Sequence, residues 1–219
     1  MSEVNLQLLP KILLWRHGQT DWNIENRFQG STDIALNEVG LYQANHAAKI
    51  LAGMAPTKIV SSPLIRAMKT AEVLADLTGL ELQIDSELRE THGGSWEGRT
   101  GPENRAADKD RFLSWLNGSD DPAGDSGERR SEVAERALRA ILRSAIGVSG
   151  LMIVVTHGGT ARCVIGKMLD LPIHQWGVLG GLSNASWSIL DPGRDGKWSL
   201  TEHNSGSIPE RLFGNESTE

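Results

Sequence analysis

The chain has 219 residues, 39% of them apolar and 23% charged, with 24 glycines and 8 prolines, the proportions of a folding domain rather than a disordered or fibrous chain. That length allows one sizeable core without disulfide or metal staples. With 22 Lys and Arg against 28 Asp and Glu, the net charge of −6 supplies no basic field for nucleic acid or an anionic membrane, so an anionic ligand needs a local pocket.

Lys11 to Trp15 is a short apolar run that stops at Arg16-His17-Gly18, the pattern of a buried strand ending in a loop. A helix is predicted from the N-cap Asn37, with Val39, Ala44, Ala47, Ala48 and Leu51 at helical spacing up to Gly53. Thr57 to Val60 reads as a second strand, and Pro63 as the first residue of a helix running to about Thr78 and closed by Gly79. Leu80 to Ile84 alternates as a half-buried strand does, and Glu87 to Gly98 is a polar, glycine-rich loop.

Phe112, Trp115 and Leu116 predict a helix ending before Asn117 to Gly127, a stretch read as a lid or insertion. Ser131 to Ala145 is amphipathic, and Leu151 to Val155 is the strongest core strand. It ends in Thr156-His157-Gly158-Gly159, before a helix from Thr160 to Leu169 that stops ahead of Pro172. Ala185 to Leu190 and Trp198 to Glu202, separated by residues 191–196, read as a terminal antiparallel hairpin, and the chain from about residue 207 as a loose polar tail. Strands alternating with helices predict an α/β fold: a three-layer α/β/α sandwich, its sheet mainly parallel with an antiparallel edge. The expected organisation is one domain over 1–219, with the lid or insertion around 99–130.

The single cysteine, Cys163, excludes an intrachain disulfide and a multi-cysteine zinc site. No apolar run approaches the roughly 18 residues of a membrane span, and Met1 to Pro10 carries no signal-peptide pattern, so a cytoplasmic protein is expected. His46, His174 and His203 have no metal-ligand spacing, and no glycine-rich Lys-Ser/Thr phosphate loop occurs. Neither metal nor cofactor is expected.

In such a sheet, ligands bind beyond the carboxyl ends of the strands, so groups distant in sequence meet in one crevice. One strand end supplies Arg16 and His17, another His157, and Arg66 follows Ser61-Ser62-Pro63. Two imidazoles, guanidinium groups and glycines suit a phosphoryl dianion. Each residue alone is as readily a core histidine or a solvated arginine; the set gains weight because both histidines follow apolar strands and precede glycine.

The stretch Leu14 to Asn23, reading LWRHGQTDWN, resembles the signature of the histidine phosphatase superfamily, the clan of phosphoglycerate mutases and related phosphatases. The resemblance continues in order through Arg27 to Gly30, Asp33, Leu36, Ser61 to Ala67, Thr70, Leu88 to Glu90 and Thr156 to Gly159, covering roughly residues 11–170. It implies a phosphoglycerate mutase-like fold and a phosphohistidine intermediate on His17. Arg16, Arg66 and His157 would bind the phosphoryl oxygens, and Glu90 would act as acid and then base. Asn23 would bind phosphate.

Among their neighbours, Gln29 and Gly30 fall where the family contacts phosphate or substrate, although Gln29 also reads as a turn cap. Thr20 either supports the phosphate cup or starts a helix, and Ser62 is read as an N-cap rather than a ligand. His92 is expected on the substrate side, Trp22 and Trp96 in packing, and Cys163 in the core.

Glu90 is followed by Thr91-His92-Gly93-Gly94 rather than the Arg-His-Tyr-Gly of the mutases. Leu88 to Gly98 and Leu179 to Trp187 are instead similar to glucosyl-3-phosphoglycerate phosphatases. Asn184 in the second stretch is either a substrate contact or a turn residue. Gly127-Glu128-Arg129 departs from the Gly-Glu-Ser frequent in the family before the late helix. The expected activity is therefore phosphomonoester hydrolysis of a small-molecule phosphate ester, glucosyl-3-phosphoglycerate or a related metabolite. The alternatives are a cofactor-dependent phosphoglycerate mutase and a catalytically weak phosphate-binding module. No nucleic-acid or membrane partner is expected, and a homodimer is left open.

Overall fold

In a strand, successive side chains face opposite sides, and the run at residues 12–15 is apolar at every position, so a strand there must be covered on both faces. A computed structural model, describing residues 9–193 and 196–206, shows this arrangement. Strand β1 (Lys11–Arg16) sends Ile12 and Leu14 to one side and Leu13 and Trp15 to the other, all fully buried. The sheet also contains β2 (Lys58–Ser61), β3 (Leu82–Ile84), β4 (Leu151–Thr156), β5 (Trp187–Pro192) and β6 (Trp198–Ser205). Their order is β3-β2-β4-β1-β5-β6; the first four are parallel, and β5 pairs antiparallel with both β1 and β6.

Helices α2 (Glu38–Gly53) and α3 (Ile65–Thr78) cover the Leu13 face through Ala47, Ala48, Leu51, Ala67, Ala71 and Leu74. On the other face α6 (Arg130–Ala145) and α7 (Gly158–Met168) pack Ala137, Ile141, Val164 and Ile165 against Ile12 and Val154. The mainly parallel α/β/α sandwich with an antiparallel edge is thus the observed fold. Asn37 caps α2, its side chain accepting from the Gly40 N–H at 2.8 Å, and Gly79 ends α3 in the left-handed region at φ 69°.

Some elements depart from the sequence reading. Pro63 lies just outside α3, whose N-cap is Leu64, so Ser62 is not the cap; its hydroxyl accepts the Leu64 N–H at 3.3 Å in the approach to the helix. Helix α7 begins at Gly158, two residues early, because His157 already has the extended geometry of an N-cap. Strand β5 begins at Trp187, two residues late, because Ala185 takes a positive φ of 56°. Five short elements lie outside the sequence reading: α1 (Asp21–Ile24), α4 (Gly101–Ala107) and 3-10 segments at Ser86–Leu88, Gly94–Trp96 and Ile173–Val178. The first two are set by capping boxes, Thr20 with Asn23 and Thr100 with Glu103, which stabilise helices too short to show apolar periodicity. Helix α5 (Lys109–Leu116) ends before Asn117, its C-cap, as expected.

The tail from about 207, residues 1–8 and two positions of the 191–196 turn lie outside the described residues. Within the described residues, no helix is long and apolar enough to cross a membrane.

Candidate active site

Parallel strands β1 and β4 lie side by side with Arg16 paired to Thr156, which brings the next residues, His17 and His157, together at one sheet edge. The His17 N–H donates to the Thr156 carbonyl at 3.1 Å, and the two ring centroids are 5.2 Å apart, close to the strand spacing of about 4.8 Å. His17 is 3% exposed and His157 fully buried. Gly18 permits the backbone to turn here: its N–H donates to Thr70 Oγ1 at 3.1 Å, and a Cβ on it would overlap the Gly40 carbonyl of α2.

The His17 ring has a defined tautomer. Its Nδ1 lies 2.7 Å from the Gly18 carbonyl oxygen, which can only accept, so Nδ1 carries the proton and Nε2 keeps its lone pair. Burial, then the charges of Arg66 and Arg16, hold this imidazole well below the usual histidine range, against the pull of the Gly18 carbonyl. His157 is held low for the same reasons, burial first and then Arg66; its Nε2 is 2.8 Å from Ser62 Oγ. The site therefore presents neutral imidazoles beside permanent cations.

Those cations are fixed by carbonyl groups. Arg66, on α3, is fully buried and donates from Nη1 to the Thr32 carbonyl and from Nη2 to the Gly30 carbonyl, both at 2.8 Å. Burial pushes its guanidinium down to about 10, with Glu90 and Asp33 opposing. Arg16 donates from Nη1 to the Leu182 carbonyl at 2.6 Å. Both line a cavity of about 430 Å³ with His17, Asn23, Glu90 and Arg162. The Glu90 carboxylate sits at the N-terminus of α7, accepting the N–H groups of Gly159 at 3.0 Å and Thr160 at 2.9 Å, and that of Thr91 at 2.8 Å. Gly159 is required there, since a Cβ would stand 2.7 Å from Glu90 Oε1. Asn23 Oδ1 takes the Thr20 N–H at 3.0 Å, which leaves the amide nitrogen of Asn23 as its donor to a ligand.

Asn23, Gln29 and Gly30 line the cavity beside Arg16, His17, Arg66 and Glu90; His157 is fully buried beside His17, with an Nδ1 that has no hydrogen-bond partner among the described residues. Thr20 is buried as the N-cap of α1. Asn184 also stands behind the wall, its Nδ2 donating to the His17 carbonyl at 3.1 Å and to Asn23 Oδ1 at 3.3 Å. His92 does not reach the cavity: its side chain is half exposed, with Nε2 4.0 Å from Glu97 Oε1. The lining also holds Arg162 and Trp115, to which the sequence assigns no site role, and Arg27, Phe28, Thr91 and Gly181 to Ser183, which the sequence reaches only within longer motif stretches. Cys163 is buried, its thiol pushed up to about 12 by burial first and Glu90 next. Among the described residues, no three His, Cys, Asp or Glu side chains are grouped to hold a metal.

Residues 12–206 match the histidine phosphatase superfamily (branch 1). Glucosyl-3-phosphoglycerate phosphatase of Mycolicibacterium vanbaalenii is 38% identical over 217 residues, 90% of this chain and 95% of that protein. A solved mycobacterial glucosyl-3-phosphoglycerate phosphatase in complex with VO3 superposes with a TM-score of 0.83 at 36% identity, covering 90% of this chain and all of that one. A probable phosphoglycerate mutase GpmB of Photorhabdus laumondii is 33% identical over 183 residues, 83% of this chain and 84% of that protein. An α/β/α sandwich with paired histidines at the ends of β1 and β4, and a match over nearly the whole chain, lead to one conclusion: the chain belongs to branch 1 of the histidine phosphatase superfamily and is a phosphatase.

Proposed function

We propose that this phosphatase works through a phosphohistidine on His17 and takes a phosphorylated glycerate bearing a glucosyl group. The observation that carries the mechanism is the hydrogen bond from His17 Nδ1 to the Gly18 carbonyl, which reserves Nε2 for attack. In the first half-reaction Nε2 bonds to phosphorus as the ester P–O bond breaks, and Glu90, protonated, gives its proton to the departing oxygen. In the second, Glu90 takes a proton from water, whose oxygen bonds to phosphorus as the P–N bond breaks. Arg16, Arg66 and the Asn23 amide nitrogen hold the non-bridging oxygens and stabilise charge in both transition states. His157, whose buried Nδ1 has no partner among the described residues, joins them in holding a non-bridging oxygen beside His17. Gln29 and Gly30 border the phosphate; Thr20 and Asn184 act through Asn23 and the His17 carbonyl.

The substrate reading is supported by the names of the relatives and by space. Beside the main cavity lies a second, of about 520 Å³, sharing Arg16, Asn23 and Trp115 with it and walled by Trp22, Phe112 and Asn104. Together they offer the volume of sites that take ligands larger than a phosphoglycerate. We further propose a single domain over 1–219 in which 99–130 forms cover for the site, with Trp115 as its point of contact, and a cytoplasmic location.

Purified protein should release inorganic phosphate from glucosyl-3-phosphoglycerate with a higher kcat/KM than from 3-phosphoglycerate, with no need for 2,3-bisphosphoglycerate. Interconversion of 3- and 2-phosphoglycerate that depends on the bisphosphate would overturn the reading. Preference for an unrelated ester would retain the mechanism and reject the substrate.

A further inference from the structure

Four guanidinium groups line the main cavity, and three are tied to the protein. Arg16 donates to the Leu182 carbonyl, Arg66 to the Gly30 and Thr32 carbonyls, and Arg27 to Glu25 and the Gly98 carbonyl. Arg162, on the second turn of α7, is different. Among the described residues its guanidinium has no hydrogen-bond or ion-pair partner; its Nε is buried without one, as is that of Arg66, but Arg66 is held through both Nη atoms. Glu90, the carboxylate whose field reaches it, is committed to Gly159, Thr160 and Thr91. The neighbouring Cys163 thiol, pushed up to about 12, stays neutral. A cation partly withdrawn from water without a partner carries a desolvation cost, and an anionic ligand in the cavity offsets it.

That anion is not the phosphoryl group being transferred. Arg162 follows Gly159 and Thr160 on the first turns of α7, the residues whose N–H groups hold the carboxylate of Glu90, the proposed donor to the leaving oxygen. Arg162 thus stands on the leaving-group side. The wall opposite is shaped for it: a Cβ on Gly181 would lie 3.1 Å from its Nη2.

We propose that Arg162 pairs with the carboxylate of the glycerate leaving group and so sets the preference for phosphorylated hydroxy acids over phosphorylated alcohols. A guanidinium presents two parallel N–H donors that match a carboxylate, a pairing lysine cannot reproduce. This rests on the substrate reading above but makes a separate claim about one residue.

The test compares 3-phosphoglycerate with glycerol 3-phosphate, which differ by a carboxylate against a hydroxymethyl group. The ratio of their kcat/KM values should fall by on the order of 10- to 100-fold in Arg162→Met, the range of a charge-assisted hydrogen bond, and should recover only in part in Arg162→Lys. Should the Met variant fail to fold, Arg162→Lys and product inhibition of the unaltered enzyme decide: D-glycerate must inhibit more strongly than glycerol, and the Lys variant must narrow that gap. A wild-type preference that the variants keep overturns the assignment and leaves the substrate reading intact. Equal losses on both substrates place Arg162 on the phosphate and overturn it as well. A wild-type enzyme indifferent to the carboxylate overturns both readings.

Discussion

Thr160 holds the Glu90 carboxylate through its backbone N–H at 2.9 Å, and its single hydroxyl proton is shared between the Arg89 carbonyl at 2.8 Å and the same carboxylate at 3.1 Å. The first turn of α7 therefore fixes both His157, its N-cap, and the carboxylate proposed to move the proton.

The value of that proton depends on the leaving group. Glu90→Gln should lower kcat on alkyl phosphates by about 10²- to 10⁴-fold, the usual contribution of general acid catalysis. It should cost far less on p-nitrophenyl phosphate, whose phenolate departs unaided. Equal losses on the two substrates would assign Glu90 a structural role instead.

His17→Ala should remove all turnover, whereas His157→Ala should retain a trace, because only His17 forms the covalent bond. Rapid quenching with labelled substrate should trap phosphate on His17 in a linkage labile to acid and stable to alkali. Label persisting in His17→Ala contradicts the assignment. Vanadate, which adopts the five-coordinate geometry of the transition state, should inhibit without added metal.

Two buried imidazoles held low make stability depend on pH, in a direction that follows from proton counting. In the unfolded chain each histidine binds a proton near pH 6.5; in the folded protein His17 and His157 do so only at lower pH. As pH falls below about 6.5 the unfolded state binds more protons, so folding weakens by up to about 1.4 kcal/mol per pH unit for each histidine. Urea unfolding at pH 7.5, 6.5 and 5.5 should show the decline, and His157→Asn should make it shallower. A flat profile over that interval would count against neutral, buried rings.

Gly40 and Gly53 both belong to α2, but their surroundings predict opposite signs. Nothing lies within 4 Å of a Cβ on Gly53, so Gly53→Ala should be neutral or stabilise by up to about 1 kcal/mol. A Cβ on Gly40 would run into the backbone of Gln19, beside the His17 loop. Gly40→Ala should lose about 1–3 kcal/mol, as overpacking does, and lower kcat by shifting His17. Denaturant midpoints and turnover measured on both variants decide the matter.

Much of this architecture was legible because central strands and strand-end motifs are written locally. The runs at 11–15 and 151–155 are apolar at every position, which only a sheet covered on two faces explains, and the groups that follow them in sequence follow them in space. Asn23, Gln29 and Gly30 were found through the motif and do line the cavity. His92 stands two residues from Glu90 and lies outside it, since the loop spends the His92 backbone on Glu128: the N–H donates to Glu128 Oε2 and the carbonyl accepts the Glu128 N–H. Arg162 went unnoticed because a helical arginine ordinarily reaches water; what marks it is the lack of a partner, which spacing alone does not encode. Trp115 and Gly181 to Ser183 come from distant segments whose contacts carry no periodic pattern.

The pairing of Arg16 with Thr156 across neighbouring strands has an evolutionary reading. The spacing of the two histidines is set by backbone hydrogen bonds between β1 and β4, not by any loop, whereas Phe28, Trp115 and Gly181 to Ser183 stand on connections outside the sheet. Those connections are free to lengthen, shorten or be exchanged between relatives while the reacting pair stays in register. Part of the ester preference can therefore change by grafting loops onto an unaltered reaction centre, and chimeras that swap residues 99–130 should take on the donor's selectivity for the bulk of the ester while keeping the carboxylate preference proposed for Arg162 on α7.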